Sequence, residues 1–240
     1  MNLCIDIGNS RAKMALFNSN DTLIASANNI NPSIRKVKKF HKDHGIRRAI
    51  ISSTRTFDQE FVNNVTEHFP VIILDAETPV PISSRYETPS TLGKDRLAAV
   101  VGAHSIYGTQ ACLIVDIGTC ITYDIINKGQ YMGGNIAPGI HLRIAAMHRY
   151  TDKLPLVDHR INDDMIGTST VKALQNGAFY GTKGEIESFI RQFTRQFGKL
   201  NVIFTGGDAQ LFADKIESKI FVRPYLVQEG LNEILKYNAA

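Results

Sequence analysis

Two aspartates stand 110 residues apart, each closing an apolar run and each followed by Ile-Gly and small or polar residues. They are Asp6-Ile7-Gly8-Asn9-Ser10 and Asp116-Ile117-Gly118-Thr119-Cys120. The flanking text matches as well: LCIDIGNSRAKMALFN from Leu3 to Asn18 against LIVDIGTCITYDIIN from Leu113 to Asn127. Each copy reads as strand, tight turn, strand. The strand delivers a carboxylate to the turn, and the glycine lets the backbone bend closely there. The Asn/Ser or Thr that follows can donate hydrogen bonds to an anion. A single D-x-G motif is a weak signal, because Asp and Gly are common turn residues. Two copies that divide 240 residues into comparable halves predict more: a pair of facing hairpins that hold a polyphosphate and leave two carboxylates to position its cations.

Three further segments carry residues suited to chemistry. Gly93-Lys94-Asp95-Arg96 ends a long Pro/Ser/Thr-rich stretch and opens a helix. Asp95 in that first turn is placed well for the helix dipole, which alone accounts for an Asp but not for the Gly and Arg beside it. Functionally, Asp95 can accept a proton from a substrate hydroxyl, and Arg96 can pair with a substrate carboxylate. Tyr86, seven residues before Gly93, is a candidate wall of that pocket. Phe204-Thr205-Gly206-Gly207-Asp208-Ala209 puts two glycines between a strand and a helix, where backbone can approach a nucleotide and Asp208 can cap the helix. Gly133-Gly134-Asn135-Ile136-Ala137-Pro138-Gly139 does the same, with Pro138 suited to a first helical position. No G-x-x-x-x-G-K-[ST] or G-x-G-x-x-G follows a strand, so neither a P-loop nor a Rossmann site has support. His141 and His148 lie two turns apart on one helix, without metal-ligand spacing.

The elements that must position these residues follow from periodicity. Strands are predicted at Leu3–Ile7, Arg11–Phe17 and Thr22–Ala27, then a basic helix, a strand at Ala49–Ser52, a helix around Phe57–His68 capped near Thr56/Asp58, and a strand at Val71–Leu74. Residues 75–93 form a long loop, and loops of that length inside compact domains are usually functional. A helix spans Lys94–Ile106. The order then repeats: strands at Ala111–Asp116, Ile121–Ile126 and Gln130–Ile136, and a helix near Ile140–Tyr150. A polar segment, Thr151–Asp164, leads to a long helix from Ser169 to Gln196, which Gly177, Gly181 and Gly184 either interrupt or open to close contact. A strand at Asn201–Phe204 and a closing helix at Leu231–Lys236 complete the chain. The fold class is α/β with mixed sheets, divided at 1–108 and 109–240.

Composition is ordinary for a globular chain: 43% hydrophobic, 21% charged, net charge +4. The mild basicity suits anionic substrates. Arg35, Lys36, Lys38, Lys39 and Lys42 read as a solvated helix face, and without Trp or interleaved aromatics they do not make a base-stacking surface. No apolar stretch reaches membrane-span length. Cys4, Cys112 and Cys120 lack metal spacing, and the expected compartment is a reducing cytoplasm.

In order along the chain, IDIGNS, GKDR, VDIGT, GGNIAPG, STVKALQNG, FTGGDA and LVQEGLNEIL resemble type III pantothenate kinases, members of the actin/Hsp70/sugar-kinase superfamily. The series covers essentially the whole chain, and its order is specific although no member is. The resemblance implies duplicated actin-like (ribonuclease H-like) domains with an interdomain cleft, and transfer of the ATP γ-phosphoryl to the primary hydroxyl of pantothenate in the first step toward coenzyme A. By the same resemblance Asp6, Ile7, Gly8, Asn9, Ser10, Arg11, Ala12 and Lys13 form the first phosphate-binding element and Thr119 contacts ATP. Asp95 is the catalytic base. Tyr86, Gly93, Lys94, Asp95, Arg96 and Thr170 contact pantothenate. Asp116 holds a monovalent cation, K+ or NH4+, beside the Mg2+ that accompanies ATP. A homodimer is implied, with no nucleic acid and no membrane as partners. Ser10 stands where Thr is usual and keeps the hydroxyl; Cys120 stands where Ala is usual. The alternatives are another small-molecule kinase of the superfamily, such as a sugar kinase, and a non-catalytic nucleotide-binding regulator. Loss of Asp95 or Asp116 would mark the second, and both are present.

Overall fold

A computed structural model describes residues 1–29, 31–56, 59–162 and 164–239. The chain separates into two compact units: Met1–Gln110 with Ile125–Gly133 and Tyr225–Ala240, and Ala111–Asp124 with Gly134–Pro224.

In the first unit, strands β1 (Asn2–Ile7), β2 (Ala12–Phe17), β3 (Leu23–Asn29), β4 (Arg48–Ser53) and β5 (Val71–Ile73) form a sheet of order β3-β2-β1-β4-β5. β1 runs antiparallel to β2 and parallel to β4, so the sheet is mixed. Successive strand side chains point to opposite faces. Leu3, Ile5 and Ile7 join Val37 and Phe40 of helix α1 (Ile34–His44) and Phe61, Val62 and Val65 of helix α2 (Gln59–Thr66) in one buried core. The remaining cationic residues of α1, Arg35, Lys36, Lys38, Lys39 and Lys42, are exposed, which is the solvated face that its amphipathic spacing predicts. The cap expected near Thr56/Asp58 falls partly on residues outside the described ones.

Asn2 and Asp6 alternate with that core and take the opposite face. There helix α7 (Leu226–Tyr237) lies against β1, and Asn2 Nδ2 donates to Asn232 Oδ1 at 2.8 Å. Helix α3 (Lys94–Tyr107) packs on α7 so closely that a Cβ at Gly230 would overlap the Ala98 carbonyl, and one at Gly102 would press on Leu226. This contact explains why α7 begins five residues before the expected Leu231. Glycine costs a helix about 1 kcal/mol relative to Ala, but here it permits a close approach that a side chain would block.

The long loop holds a short strand, β6 (Ser83–Ser84), and a 3-10 turn at Pro89–Thr91, neither visible in periodicity. The second sheet has order β11-β10-β7-β8-β9-β6. Its members are β7 (Cys112–Ile117), β8 (Cys120–Asn127), β9 (Gln130–Pro138), β10 (Asn201–Thr205) and β11 (Ile220–Val222), together with β6. The three-residue β11, flanked by Lys219 and Arg223, is too short for a sequence signal; it is set by parallel pairing with β10. Helix α4 (Ile140–Arg149) follows β9, and α5 (Thr170–Phe197) runs 28 residues without a break at its glycines. Gly177, Gly181 and Gly184 are exposed, with open space where a Cβ would stand. Helix α6 (Ala209–Ala213) is only 5 residues long, and Asp208 at its N-cap makes no capping side-chain bond, contrary to the expectation from its type.

Candidate active site

The first hairpin turns through Gly8-Asn9-Ser10-Arg11 and is closed by Gly8 N–H donating to the Arg11 carbonyl at 3.0 Å. Asn9, Ser10 and Arg11 are exposed at the tip of the turn. Ile7 and Ala12, the last and first strand residues, are buried and pair in register, anchoring the turn on the core. One step inward, Asp6 and Lys13 are partners in the β1–β2 register, just beneath the turn. Asp6 Oδ1 also accepts from Ser52 Oγ on β4 at 3.3 Å.

The second hairpin is tighter. Only Gly118 and Thr119 lie between β7 and β8, and Gly118 N–H donates to the Cys120 carbonyl at 3.0 Å. Two glycine loops pack onto it. Gly206, at φ +94°, lies so close that a Cβ would strike Asp116 Oδ1 and the Ile117 backbone. Asp208 N–H donates to the Ile117 carbonyl at 2.9 Å, and buried Thr205 pairs in register with Asp116. From the other loop, Gly139 N–H donates to the Thr119 carbonyl at 3.0 Å, and a Cβ on Gly139 would overlap the Gly118 carbonyl. The three segments VDIGT, GGNIAPG and FTGGDA are therefore one cluster with glycine at each point of backbone contact. Pro138 is not the first helical residue, as its type suggested. It ends β9, and α4 starts at Ile140 after an extended Gly139, because the Gly139–Thr119 bond holds that backbone against the hairpin.

At the start of α3, Gly93 is the N-cap and Asp95 sits in the first turn, half-buried. Asp95 Oδ1 accepts from the Arg96 N–H at 2.8 Å, and a Cβ on Gly93 would come within 2.6 Å of that oxygen. Glycine at 93 is what leaves room for the carboxylate. Arg96 is 5% exposed and lies against Tyr86: its guanidinium carbon is 5.6 Å from the ring centroid, and Nη1 reaches the hydroxyl at 3.5 Å. Tyr86 in turn stacks on buried Tyr131, with centroids 5.9 Å apart and planes 7° from parallel. The order Tyr131, Tyr86, Arg96 fixes the wall beside Asp95, and Lys94 precedes it half-buried in the same turn. Thr170 is the exposed first residue of α5 in the second unit, next to Ser169, whose side chain accepts the Lys172 N–H.

Some residues behind these sites gave no sequence signal. Tyr123, fully buried, donates through its hydroxyl to Glu185 Oε1 at 2.8 Å; Arg143 Nη2 meets Glu185 Oε2 at 2.7 Å, and Arg143 Nε donates to the Pro138 carbonyl at 2.8 Å. Burial, reinforced by the Glu185 bond and charge, pushes the Tyr123 hydroxyl far above the usual range, so it stays a donor. Gln175 and Asn176, both buried in α5, fasten the preceding polar segment: Gln175 Nε2 donates to the Asp158 carbonyl, and Asn176 Nδ2 to those of Asp164 and Met165. They explain the QN of the STVKALQNG segment as a structural clamp. His141 rests edge-on against the His159 ring, and His148 Nδ1 lies 2.8 Å from the Leu154 carbonyl.

Among the described residues no group of three His, Cys, Asp or Glu is arranged to hold a metal ion. A single carboxylate suits an ion that arrives on its ligand and keeps several of its own waters, as Mg2+ does, rather than a dedicated all-protein cage.

The three thiols differ sharply. Burial raises Cys112 to about 11 and Cys4 well above its ordinary value, whereas Cys120 is exposed beside Thr119. Thiolate is the reactive form. Iodoacetamide at pH 8 is expected to label Cys120 alone in the folded protein, as read by peptide mass mapping. Labelling of Cys4 or Cys112 without unfolding would contradict these burial assignments.

Comparison with known proteins shows the family. Residues 2–192 match the sequence profile described as type III pantothenate kinase. The chain is 39% identical to a type III pantothenate kinase of Bacteroides fragilis, over 99% of this chain and 98% of that one. It is 41% identical to that of Phocaeicola vulgatus, over 99% of both. Among solved structures, a Campylobacter jejuni protein described as a candidate Baf family transcriptional activator superposes with TM-score 0.63 at 24% identity, covering 99% of this chain and 98% of that one. An activator of 2-hydroxyisocaproyl-CoA dehydratase from Clostridium difficile, solved with ADPNP, gives 0.53 at 13%, covering 99% and 97%. At these identities the structures speak for the fold.

Proposed function

Since the chain belongs to the type III pantothenate kinase family over its whole length, we propose that its two D-x-G hairpins hold ATP and its cations while Asp95 acts as the base in that family's reaction. The chain is an ATP-dependent kinase of actin-like fold that phosphorylates pantothenate to 4'-phosphopantothenate, the first step of coenzyme A biosynthesis. The division into residues 1–108 and 109–240 as duplicated domains is our reading, supported by a D-x-G hairpin near the start of each.

Phosphoryl transfer depends on positioning and on electrostatic stabilisation more than on covalent chemistry. The turn Gly8–Arg11, exposed at Asn9, Ser10 and Arg11, faces the ATP phosphates, with Lys13 on the adjoining strand adding positive charge. Thr119 contacts the nucleotide from the second hairpin. The divalent ion that accompanies ATP neutralises phosphate charge and would be steadied by Asp6. Asp116, with the Gly206 backbone against it, would hold K+ or NH4+. Pantothenate lies against Tyr86, Gly93, Lys94 and Arg96, with Thr170 as a further contact; Arg96 and Tyr86 suit its carboxylate. Asp95 takes the proton of the primary hydroxyl as that oxygen attacks the γ-phosphorus.

The observation that carries this reading is the room left by Gly93 for the Asp95 carboxylate beside the Tyr86–Arg96 wall. A coupled ADP-release assay over a panel of pantothenate, hexoses and glycerol tests it. Turnover with pantothenate alone is expected, and comparable turnover with a sugar would transfer the assignment to a sugar kinase.

A homodimer is part of the proposal. The second unit exposes Ile136, Tyr150, Leu156, Met165 and Ile166, apolar side chains that a partner protomer could cover. The glycine face of α5 lies in the same unit and would admit a second helix closely. Gly181→Leu is expected to give a folded monomer, because the space around Gly181 is open within one chain. Light scattering after size exclusion reads this, and a variant as dimeric as the parent would remove α5 from the interface. For localisation we propose the cytoplasm, which suits three free cysteines. Among the described residues no helix is long and apolar enough to cross a membrane.

A further inference from the structure

We propose that Arg143 and Glu185 are positioning residues for the nucleotide turn at Thr119, acting through a closed ring of hydrogen bonds. This rests on the reading that Thr119 contacts ATP. The ring starts at the Thr119 carbonyl, which accepts from Gly139 N–H at 3.0 Å. The adjoining Pro138 carbonyl accepts from Arg143 Nε at 2.8 Å, and Arg143 Nη2 meets Glu185 Oε2 at 2.7 Å. Glu185 Oε1 accepts from the Tyr123 hydroxyl at 2.8 Å, and Tyr123 returns along β8 to Thr119. A second bond, Arg143 N–H to the Gly139 carbonyl at 2.9 Å, ties the head of α4 to the same point.

Each component is suited to holding position. Tyr123 is fully buried and its ring stacks on Phe189 of α5 at 4.1 Å, so the far end of the ring is fixed by packing. Glu185 stands mid-helix in α5, the longest helix described. Arg143 uses two edges of one planar guanidinium, one on a main-chain carbonyl and the other on a carboxylate. Lysine, a point charge on a flexible stem, cannot reproduce that fork. The Pro138–Gly139 backbone can sit on the hairpin only because Gly139 has no Cβ, and Arg143 Nε on the Pro138 carbonyl adds a second hold beside the Gly139–Thr119 bond. A partly buried ion pair of this kind is weak evidence of stabilisation. Its geometric effect is direct: a displacement of the turn by about 1 Å is enough to cost up to ~100-fold in rate.

The test is steady-state kinetics of Arg143→Lys, Glu185→Gln and Thr119→Ala, each checked for an unchanged circular dichroism spectrum. Arg143→Lys and Glu185→Gln are expected to raise the KM for ATP about ten-fold while the KM for pantothenate stays within about two-fold. A residue that only supported folding would be rescued by the retained charge in Arg143→Lys, or would lower active enzyme without splitting the two constants. Wild-type KM for ATP in either folded variant, with Thr119→Ala raised, would overturn the positioning role and leave the nucleotide contact standing. An unchanged KM for ATP in Thr119→Ala would overturn both.

Discussion

Asp95→Asn is expected to lower kcat by about 10²- to 10⁴-fold, the range that a positioned general base contributes, while the protein still folds and binds ATP. The amide keeps the carboxylate's shape, and its oxygen can still accept the Arg96 N–H that Asp95 Oδ1 accepts at 2.8 Å. The Tyr131–Tyr86 stack is aromatic and uncharged, so pantothenate affinity should change less than turnover. What the amide cannot do is take the hydroxyl proton as the attacking oxygen bonds to phosphorus. Nucleotide affinity, followed by displacement of a fluorescent ATP analogue, should stay within about two-fold, since uniform binding is separable from transition-state stabilisation. Near-normal turnover would reduce Asp95 to a residue that merely complements the dipole at the start of α3.

Asp116→Ala is expected to remove both most of the activity and its dependence on a monovalent cation. The proposed ion lies where the β7 carboxylate meets the backbone at Gly206, and a side chain at 206 would collide with that oxygen. The Asp116 carboxylate supplies one negative charge there, and the Ile117 backbone lies beside it against Gly206. Bound ions are often the largest charges in a phosphate site, so loss of this one leaves the polyphosphate under-compensated. Wild-type enzyme should require K+ or NH4+ even with Mg2+ saturating, and Na+, which holds its water more tightly, should substitute poorly. The measurement is a K+ titration at fixed ionic strength with choline as the inert replacement. Full activity in choline alone would refute the cation site while leaving the kinase intact.

The hairpins were legible because their determinants are local. An apolar strand, an Asp, a Gly and a polar turn residue occupy consecutive positions, and the duplication supplies its own control. The sequence did not reveal that the first turn spans four residues and the second two, a difference set by which residues pair across β1–β2 and β7–β8. The unbroken α5 was legible in extent but ambiguous at Gly177, Gly181 and Gly184, because helix propensity alone does not say what a glycine face meets. Residue type alone suits Pro138 to a first helical position. The bond from Gly139 to Thr119, between residues 20 positions apart, decides otherwise. The Arg143–Glu185–Tyr123 ring was silent for the same reason: its members are 42 and 62 residues apart, with no spacing rule to connect them. Local chemistry thus showed through in one sequence, and long-range support of that chemistry did not.

The central claim is that this chain places the γ-phosphoryl of ATP on the primary hydroxyl of pantothenate with Asp95 as base. It is tested most directly by product identity. Enzyme, ATP, Mg2+, K+ and pantothenate are incubated, ADP is quantified, and the phosphorylated product is resolved by mass and by proton-coupled phosphorus NMR. One phosphomonoester is expected per ADP released, coupled to a methylene group as a primary alcohol requires, and strongly diminished with Asp95→Asn. ADP release without phosphopantothenate, or a phosphate on the secondary hydroxyl, would contradict the account.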